Sequence, residues 1–289
     1  MKHEISFGAL SAVIDEQGGS LCSFKVSGRE CLGNGENRGD CRGMVNIFPF
    51  YGVLATAAQR QFNTRMAMGK NGIIVDADFF VEDKGQEYIL LGFRSNTETR
   101  QCYPFDFLYK IEYRIIGTRL AVTYEVQNHS ERDMFFACAC AICLGLPLDE
   151  GLTGDDYDVE FLCECSPERV ELSKEGYIVR RVPYELLYGH KLRLDREFPT
   201  NEDIILEGLP PRLTILSPKG GNIFGTRSQE AKNLTFHLNR QGNRANLLMT
   251  ASTTLPPKEK RTRIVDMDDI ITLPKNESYF MSCSFFIEQ

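Results

Sequence analysis

The sequence contains no tryptophan and only four histidines among its 289 residues. Any imidazole that transfers a proton must therefore belong to His3, His129, His190 or His237. No apolar run approaches the ~18 residues that a transmembrane helix needs. The opening segment, MKHEISFGALSAVIDEQGG, has charge inside its apolar stretch and lacks a small-residue cleavage site. We therefore expect no signal peptide and a cytoplasmic protein.

Positive charge is also scarce. The 33 Lys and Arg residues are outnumbered by 40 Asp and Glu residues, which gives a formal net charge of −7. Nucleic acids and anionic membrane surfaces attract basic proteins, so this balance argues against both as the main partner. The ten cysteines are expected to be reduced thiols, because the cytoplasm disfavours disulfides.

Alternation of apolar and polar residues dominates what is present. Residues 107–115 and 119–126 have the period-two pattern of half-buried strands, joined by a turn at 116–118. Similar runs, separated by turn signals, recur at 12–14, 87–91, 159–162, 213–216, 234–237 and 279–287. No stretch offers two clean helical turns with caps, and no repeat or long linker divides the chain. The pattern predicts an all-β fold, a large antiparallel sandwich or barrel, as a single domain over residues 1–289.

Four segments are similar, in the same order, to segments of a known family. They are IFPFYGVL at 47–54, NG at 71–72, YPFDF at 103–107 with the two strands after it, and IITLPKNES at 270–278. The chain resembles the aldose 1-epimerase (galactose mutarotase-like) family, in particular its LacX-type branch. The resemblance implies a single galactose mutarotase-like β-sandwich, or supersandwich, with a sugar cleft on one concave face. It also implies a small carbohydrate or sugar derivative as the ligand, and no cofactor.

The residues that carry this family's chemistry are replaced here. In the family a glutamate takes the proton from the anomeric hydroxyl, a histidine protonates the ring oxygen, and a second histidine and an arginine hold the sugar. The two histidine positions fall on Asn71 and Ala141, the glutamate on Thr250 and the arginine on Val53. None of these four side chains exchanges protons near neutral pH. The resemblance therefore predicts a carbohydrate-binding pseudoenzyme that lacks the standard Glu/His machinery.

Other residues could bind a sugar or rebuild an acid/base pair. Arg42 keeps a basic position before the FP turn, and Glu207 falls near an acidic position that binds sugar hydroxyls in the family; a solvated loop charge is the plainer interpretation of both. His237 alternates on a predicted strand, and Tyr51 or Phe50 could replace tryptophan against the apolar face of a sugar. An active aldose 1-epimerase with a rearranged pair, His237 and Glu207, is therefore the alternative.

The segment FACACAICLG, residues 136–145, puts three cysteines into six positions. Cys138 and Cys140 are expected on one face of a strand, with Cys143 past its end, and Cys163 and Cys165 repeat the two-apart spacing on another expected strand. Metal-binding knuckles use a two-residue gap between cysteines, which neither pair has. A thiol or metal-binding protein is thus a third alternative. We expect no metal site and interpret the cysteines as small core residues beside the cleft.

Overall fold

The structure is a computed structural model that describes residues 1–33, 43–69, 71–219, 222–228, 230–267 and 269–286. Short strands make up most of this part of the chain. In chain order they are β1 (Lys2–Phe7), β2 (Leu10–Asp15), β3 (Ser20–Val26), β4 (Arg29–Glu30), β5 (Met44–Ile47), β6 (Phe80–Lys84), β7 (Tyr88–Arg94), β8 (Phe107–Ile116), β9 (Arg119–Asn128), β10 (Met134–Phe136), β11 (Ala139–Leu146), β12 (Asp158–Phe161), β13 (Glu168–Leu172), β14 (Ile178–Pro183), β15 (Lys191–Arg193), β16 (Asp203–Glu207), β17 (Arg212–Leu216), β18 (Asn222–Ser228), β19 (Asn233–Gln241), β20 (Arg244–Ser252), β21 (Ile271–Leu273) and β22 (Ser278–Phe286).

Two large sheets account for nearly all of these strands. The first, which we name the cleft sheet, has the order β1-β2-β3-β5-β11-β20-β19-β16-β13-β14, with β4 paired to β3. The second sheet has the order β15-β12-β17-β18-β22-β9-β8-β7-β6, and β10 pairs with β21 apart from both. Neighbouring strands run antiparallel. One buried cluster takes side chains from both sheets, which confirms the predicted all-β sandwich; the single-domain organisation stays a prediction.

All eight period-two runs fall on strands, although most of the 22 strands in the described residues were not predicted by such a run. The runs at 107–115 and 119–126 lie on β8 and β9, whose apolar residues are buried on one face. The remaining runs fall on β2, β7, β12, β17, β19 and β22, to within a residue or two, except that residue 287 lies outside the described part. A core of aromatic rings has formed around Phe48, whose centroid is 4.9 Å from that of Tyr109 and 5.1 Å from that of Phe107. Such contacts add to the stabilisation that burial of the rings provides.

The sequence showed no two clean helical turns with caps, but the structure contains two α-helices. The helix α1 (Gly52–Phe62) runs for three turns, and a single-turn helix, α2, spans Thr99–Cys102. Tyr51 precedes α1 without a side-chain cap, so the usual amino-terminal signal is absent from the sequence. Alanines and Leu54 bury one face of α1, and its end is set by Asn63, which adopts a left-handed conformation. None of the helices in the described ranges is long and apolar enough to span a membrane.

Two predictions about the cysteines are wrong. Cys143 lies inside β11, not past its end, because pairing with β20 continues to Leu146. Cys163 and Cys165 follow the end of β12 and lie in a loop, where the N–H of Cys165 donates to the carbonyl of Gly189. Cys138 directly precedes β11, and its N–H donates to Thr253 Oγ1.

One buried amide connects the two sheets. Asn46, on β5, is fully buried and donates from Nδ2 to the carbonyls of Gly18 and Gly19, at 3.2 and 2.9 Å. Its Oδ1 accepts a hydrogen bond of 2.9 Å from the hydroxyl of Tyr124 on β9. Tyr113 on β8 donates to the carbonyl of Gly19 at 2.7 Å. These five buried groups satisfy one another, so the network fixes the position of the cleft sheet relative to the second sheet.

Candidate functional site

A row of side chains crosses the outer face of the cleft sheet. Val45, Ala141, Thr250, Thr235 and Ile205 lie side by side on five adjacent strands, because the antiparallel register pairs each with the next. Residues that are directly paired project to the same side of a sheet. Their neighbours along each strand point the other way, into the core between the sheets. The row therefore forms the floor of a surface that the core does not use.

This surface is the floor of a cavity of about 440 Å³. One wall comes from the first turn of α1 and the loop at Asn71, and another from the segment at 254–256. The turn at Gly176 reaches across to α1, where a Cβ on that glycine would lie 2.8 Å from Cγ1 of Val53. We name this cavity the cleft. Its size is that of a small-molecule site.

The positions that the resemblance singled out meet in the cleft. Asn71, Ala141, Thr250 and Val53 all line it, although they come from a loop, two strands and a helix. Gly72 fixes the backbone beside Asn71: it has a φ of +86°, and a Cβ there would lie 2.1 Å from the carbonyl oxygen of Phe48. Only glycine fits such a close approach with positive φ.

Two further predicted residues, Tyr51 and His237, also line the cleft. The hydroxyl of Tyr51 donates to Ser252 Oγ at 2.9 Å, and Ser252 Oγ donates to the carbonyl of Thr254 at 2.8 Å. Burial raises the pKa of the Tyr51 phenol, so this group stays a neutral hydrogen-bond donor. The ring packs against Ile47 and its neighbours on the sheet and is held as a wall of the cleft.

Glu207 and Arg42 differ from these. Glu207 does not line the cleft; its carboxylate forms an ion pair with Arg181 on β14. Arg42 lies outside the described residues. Phe50, the second aromatic candidate, is fully buried in the core and so cannot face a ligand. Its ring stands 5.9 Å from that of Tyr103, measured between centroids.

The carboxylate that accompanies His237 is Asp203, which sequence reasoning missed. His237 Nδ1 lies 2.8 Å from Asp203 Oδ1, and both residues line the cleft. The two are directly paired between β16 and β19. Glu207 lies four residues further along β16, roughly 13 Å away at about 3.3 Å per residue. Only the strand register distinguishes the two acids, and it is set by pairing between segments more than 30 positions apart in the chain.

The two partners differ in exposure. The side chain of His237 is 24% exposed and that of Asp203 is 65% exposed. An ion pair this close to solvent contributes little to stability. The carboxylate does, however, hold the imidazole in one orientation through its contact with Nδ1. His3, His129 and His190, all within the described ranges, do not line the cleft.

Neutral polar groups supply most of the remaining hydrogen-bonding capacity. Thr235 and Thr250 face each other across β19 and β20. Asn233 donates to the carbonyl of Ser252 at 3.5 Å, and Asn239 donates to Asn201 Oδ1 at 2.9 Å. Hydroxyls and amides both donate and accept, which suits the hydroxyl groups of an uncharged ligand. In the residues that the structure describes, no three His, Cys, Asp or Glu side chains are grouped as metal ligands.

Comparison with known proteins identifies solved structures that have the same fold. No protein-family model matches the sequence, and no curated protein is similar enough in sequence to match it. A galactose mutarotase related enzyme from Lactobacillus acidophilus superposes with a TM-score of 0.86 at 18% identity, over 100% of this chain and 98% of that one. A galactose mutarotase-like protein from Lactobacillus casei gives 0.86 at 19% identity, with both chains covered completely.

A solved structure with lower sequence identity has the same fold. An aldose epimerase homologue from C. elegans superposes with a TM-score of 0.71 at 11% identity, over 100% of this chain and 99% of that one. At such identities the likeness concerns the backbone, and function has to be argued from the site. The expected resemblance is thus confirmed in three dimensions: this chain has the fold of the galactose mutarotase-like proteins.

Proposed function

We propose that the chain binds a small uncharged carbohydrate in the cleft. The observation that carries this proposal is the convergence of Asn71, Ala141, Thr250 and Val53 on one cavity, at the positions where the resembled family holds its sugar. The solved structures with the same fold, described as galactose mutarotase related or galactose mutarotase-like, support the same ligand class.

The chemistry of the lining fits binding better than the family's proton transfer. The amide of Asn71 and the hydroxyl of Thr250 can hydrogen-bond sugar hydroxyls but cannot act as an acid or a base near neutral pH. Ala141 and Val53 present apolar surface that suits the C–H face of a sugar. The replacement of the family's glutamate and histidines at these positions therefore supports carbohydrate binding without the standard machinery.

Saturation-transfer NMR tests the binding proposal. Fresh samples of glucose, galactose and other aldoses, together with sugar phosphates, are mixed in turn with the protein and the transfer to ligand protons is measured. We expect saturation transfer to the protons of at least one neutral aldose. If none of the panel gains intensity from the folded protein, the binding proposal is wrong.

A second candidate is epimerisation by a rearranged pair. Among the described residues that line the cleft, His237 is the only histidine, and its Nδ1 lies 2.8 Å from Asp203 Oδ1. The imidazole would take the proton from the anomeric hydroxyl as the C1 carbonyl forms and the bond between C1 and the ring oxygen breaks. The ring oxygen would take a proton from water, and the carboxylate of Asp203 would stand beside the imidazolium until ring closure reverses these transfers. The pair that we expected from the sequence, His237 and Glu207, is replaced in this candidate by His237 and Asp203.

Polarimetry on freshly dissolved α-galactose and α-glucose separates the two candidates. If the pair is active, His237→Ala should lower the catalysed rate by about 10²–10⁴-fold, the usual contribution of a general base. Glu207→Gln is the matched control and should leave the rate unchanged, since Glu207 lies outside the cleft. A wild-type rate equal to that of buffer alone would remove this candidate and leave the binding proposal untouched.

A further inference from the structure

A second cavity lies between the two sheets, on the opposite side of β11 from the cleft. Its volume is about 250 Å³, and its lining is mainly apolar, with Met249 from the cleft sheet and Phe285 from the second sheet. Pro211 and Lys232, at two connections between the sheets, are exposed and mark its mouth. Cys140 also lines it and is 4% exposed. We name this space the inter-sheet cavity.

Two thiols from opposite sheets meet in the inter-sheet cavity. Cys140 is on β11 of the cleft sheet, Cys283 is on β22 of the second sheet, and each is 4% exposed. Their sulfur atoms are 4.0 Å apart. A disulfide has its sulfurs about 2 Å apart, so a closure of about 2 Å separates the thiol pair from a covalent bond.

The surroundings of the pair favour ionisation of one thiol over the other. The pKa of Cys140 is lowered, because its thiolate would accept a hydrogen bond from Cys283. The pKa of Cys283 is raised by the same hydrogen bond and by burial, with a smaller contribution from the charge of Glu230. Tyr124 adds a hydroxyl 4.0 Å from the sulfur of Cys283. The hydrogen bond between the two sulfurs thus favours a thiolate on Cys140, and the thiolate is the reactive form.

The same region holds an unsatisfied polar group. The hydroxyl of Tyr109 is buried and has no hydrogen-bond partner in the described structure. Its pKa is raised mainly by burial, and the nearby thiols Cys138, Cys140 and Cys283 raise it further. A buried donor of this kind costs free energy and marks a place where the interior is not packed for stability alone.

We propose that Cys140 and Cys283 form a modification site, at which an organic hydroperoxide that enters the inter-sheet cavity oxidises the pair to a disulfide. The Cys140 thiolate attacks the terminal peroxide oxygen, the O–O bond breaks, and an alcohol leaves after it takes up the thiol proton. Cys140 is then a sulfenic acid. The sulfur of Cys283 attacks it, the S–O bond breaks, and water leaves with the proton of Cys283. Two thiols and one hydroperoxide thus give one disulfide, one alcohol and one water.

The cavity determines which oxidant is favoured. An apolar hydroperoxide such as cumene hydroperoxide gains free energy when its hydrocarbon part leaves water for the apolar lining, whereas hydrogen peroxide does not. The site is also independent of the cleft. Alternate residues of β11 point to opposite faces, so Cys140 faces the inter-sheet cavity while Ala141 faces the cleft.

Peptide mapping of the full chain tests the proposal. The reduced protein is treated with cumene hydroperoxide or hydrogen peroxide, the remaining thiols are alkylated, and non-reduced digests are analysed by mass spectrometry. We expect a peptide pair joined through Cys140 and Cys283, lighter by two hydrogens and separated by dithiothreitol. At equal concentration cumene hydroperoxide should form it about tenfold faster than hydrogen peroxide.

Single variants identify the order of events. Cys283→Ala should stop the reaction at a sulfenic acid on Cys140 that dimedone labels, and Cys140→Ala should leave Cys283 unmodified. Cys163→Ala, which removes an exposed thiol that does not line the cavity, is the matched control and should form the linked peptide as the wild type does. Circular dichroism verifies that each variant is folded. Modification of Cys163 without the 140–283 link, a link that forms only in denaturant, or equal rates with the two oxidants would overturn the proposal.

Discussion

Replacement of Asn46 by alanine is expected to lower the free energy of unfolding by about 2–4 kcal/mol, because each buried group left without a partner costs about 1–3 kcal/mol. Alanine removes the donor to the carbonyls of Gly18 and Gly19 and the acceptor for Tyr124. The variant also leaves a small void at a fully buried site. It should therefore be among the most destabilising single changes in the chain.

Urea denaturation followed by circular dichroism measures this loss. The matched control is Asn239→Ala, which removes an amide whose hydrogen bond to Asn201 lies at the surface. That control should change the free energy of unfolding by no more than about 0.5 kcal/mol. If Asn46→Ala lowered the free energy of unfolding no more than Asn239→Ala does, the buried network would not be what holds the two sheets together.

Ala141→Phe is expected to weaken carbohydrate binding at least about tenfold, which corresponds to a loss of at least about 1.4 kcal/mol. Ala141 lies in the cleft floor, between Val45 and Thr250. A phenyl ring there would occupy the space that a sugar ring needs. The side chain points into the cleft, not into the core, so the substitution should not overpack the interior.

The measurement is the same saturation-transfer experiment that tests the proposed function, with the aldose that gives the strongest transfer. Ala9→Phe adds the same ring in an exposed turn and should bind as the wild type does. Thermal unfolding of both variants establishes that they are folded. If folded Ala141→Phe bound the sugar with wild-type affinity, the carbohydrate site would lie outside the cleft.

Local patterns predicted the strands, because alternation is a property of neighbouring residues. β8 and β9 are joined by one short turn, so their sequences contain most of the information that defines their pairing. The segments similar to those of a known family made it possible to predict the whole sandwich and not only single strands. The positions Asn71, Ala141, Thr250 and Val53, inferred by that similarity, are in fact brought together in one cleft.

What the sequence did not reveal depends on contacts between distant segments. α1 has no capping side chain at its start, and its apolar face is defined by packing against the core. Asp203 is adjacent to His237 only because β16 pairs with β19 in one register. Cys140 and Cys283 are 143 positions apart, and nothing in the local pattern of either strand indicates that they face each other.

The order of strands in the cleft sheet has a consequence for synthesis on the ribosome. β11 pairs with β5, made earlier, and with β20, which begins about 100 residues after β11 ends. At about 5–20 residues per second, β11 therefore waits roughly 5–20 s for its second neighbour. During that interval the segment ACAICLGL has an open edge, and such edges template aggregation. Chains that stop before β20 should depend on chaperones for their solubility far more than the finished protein does.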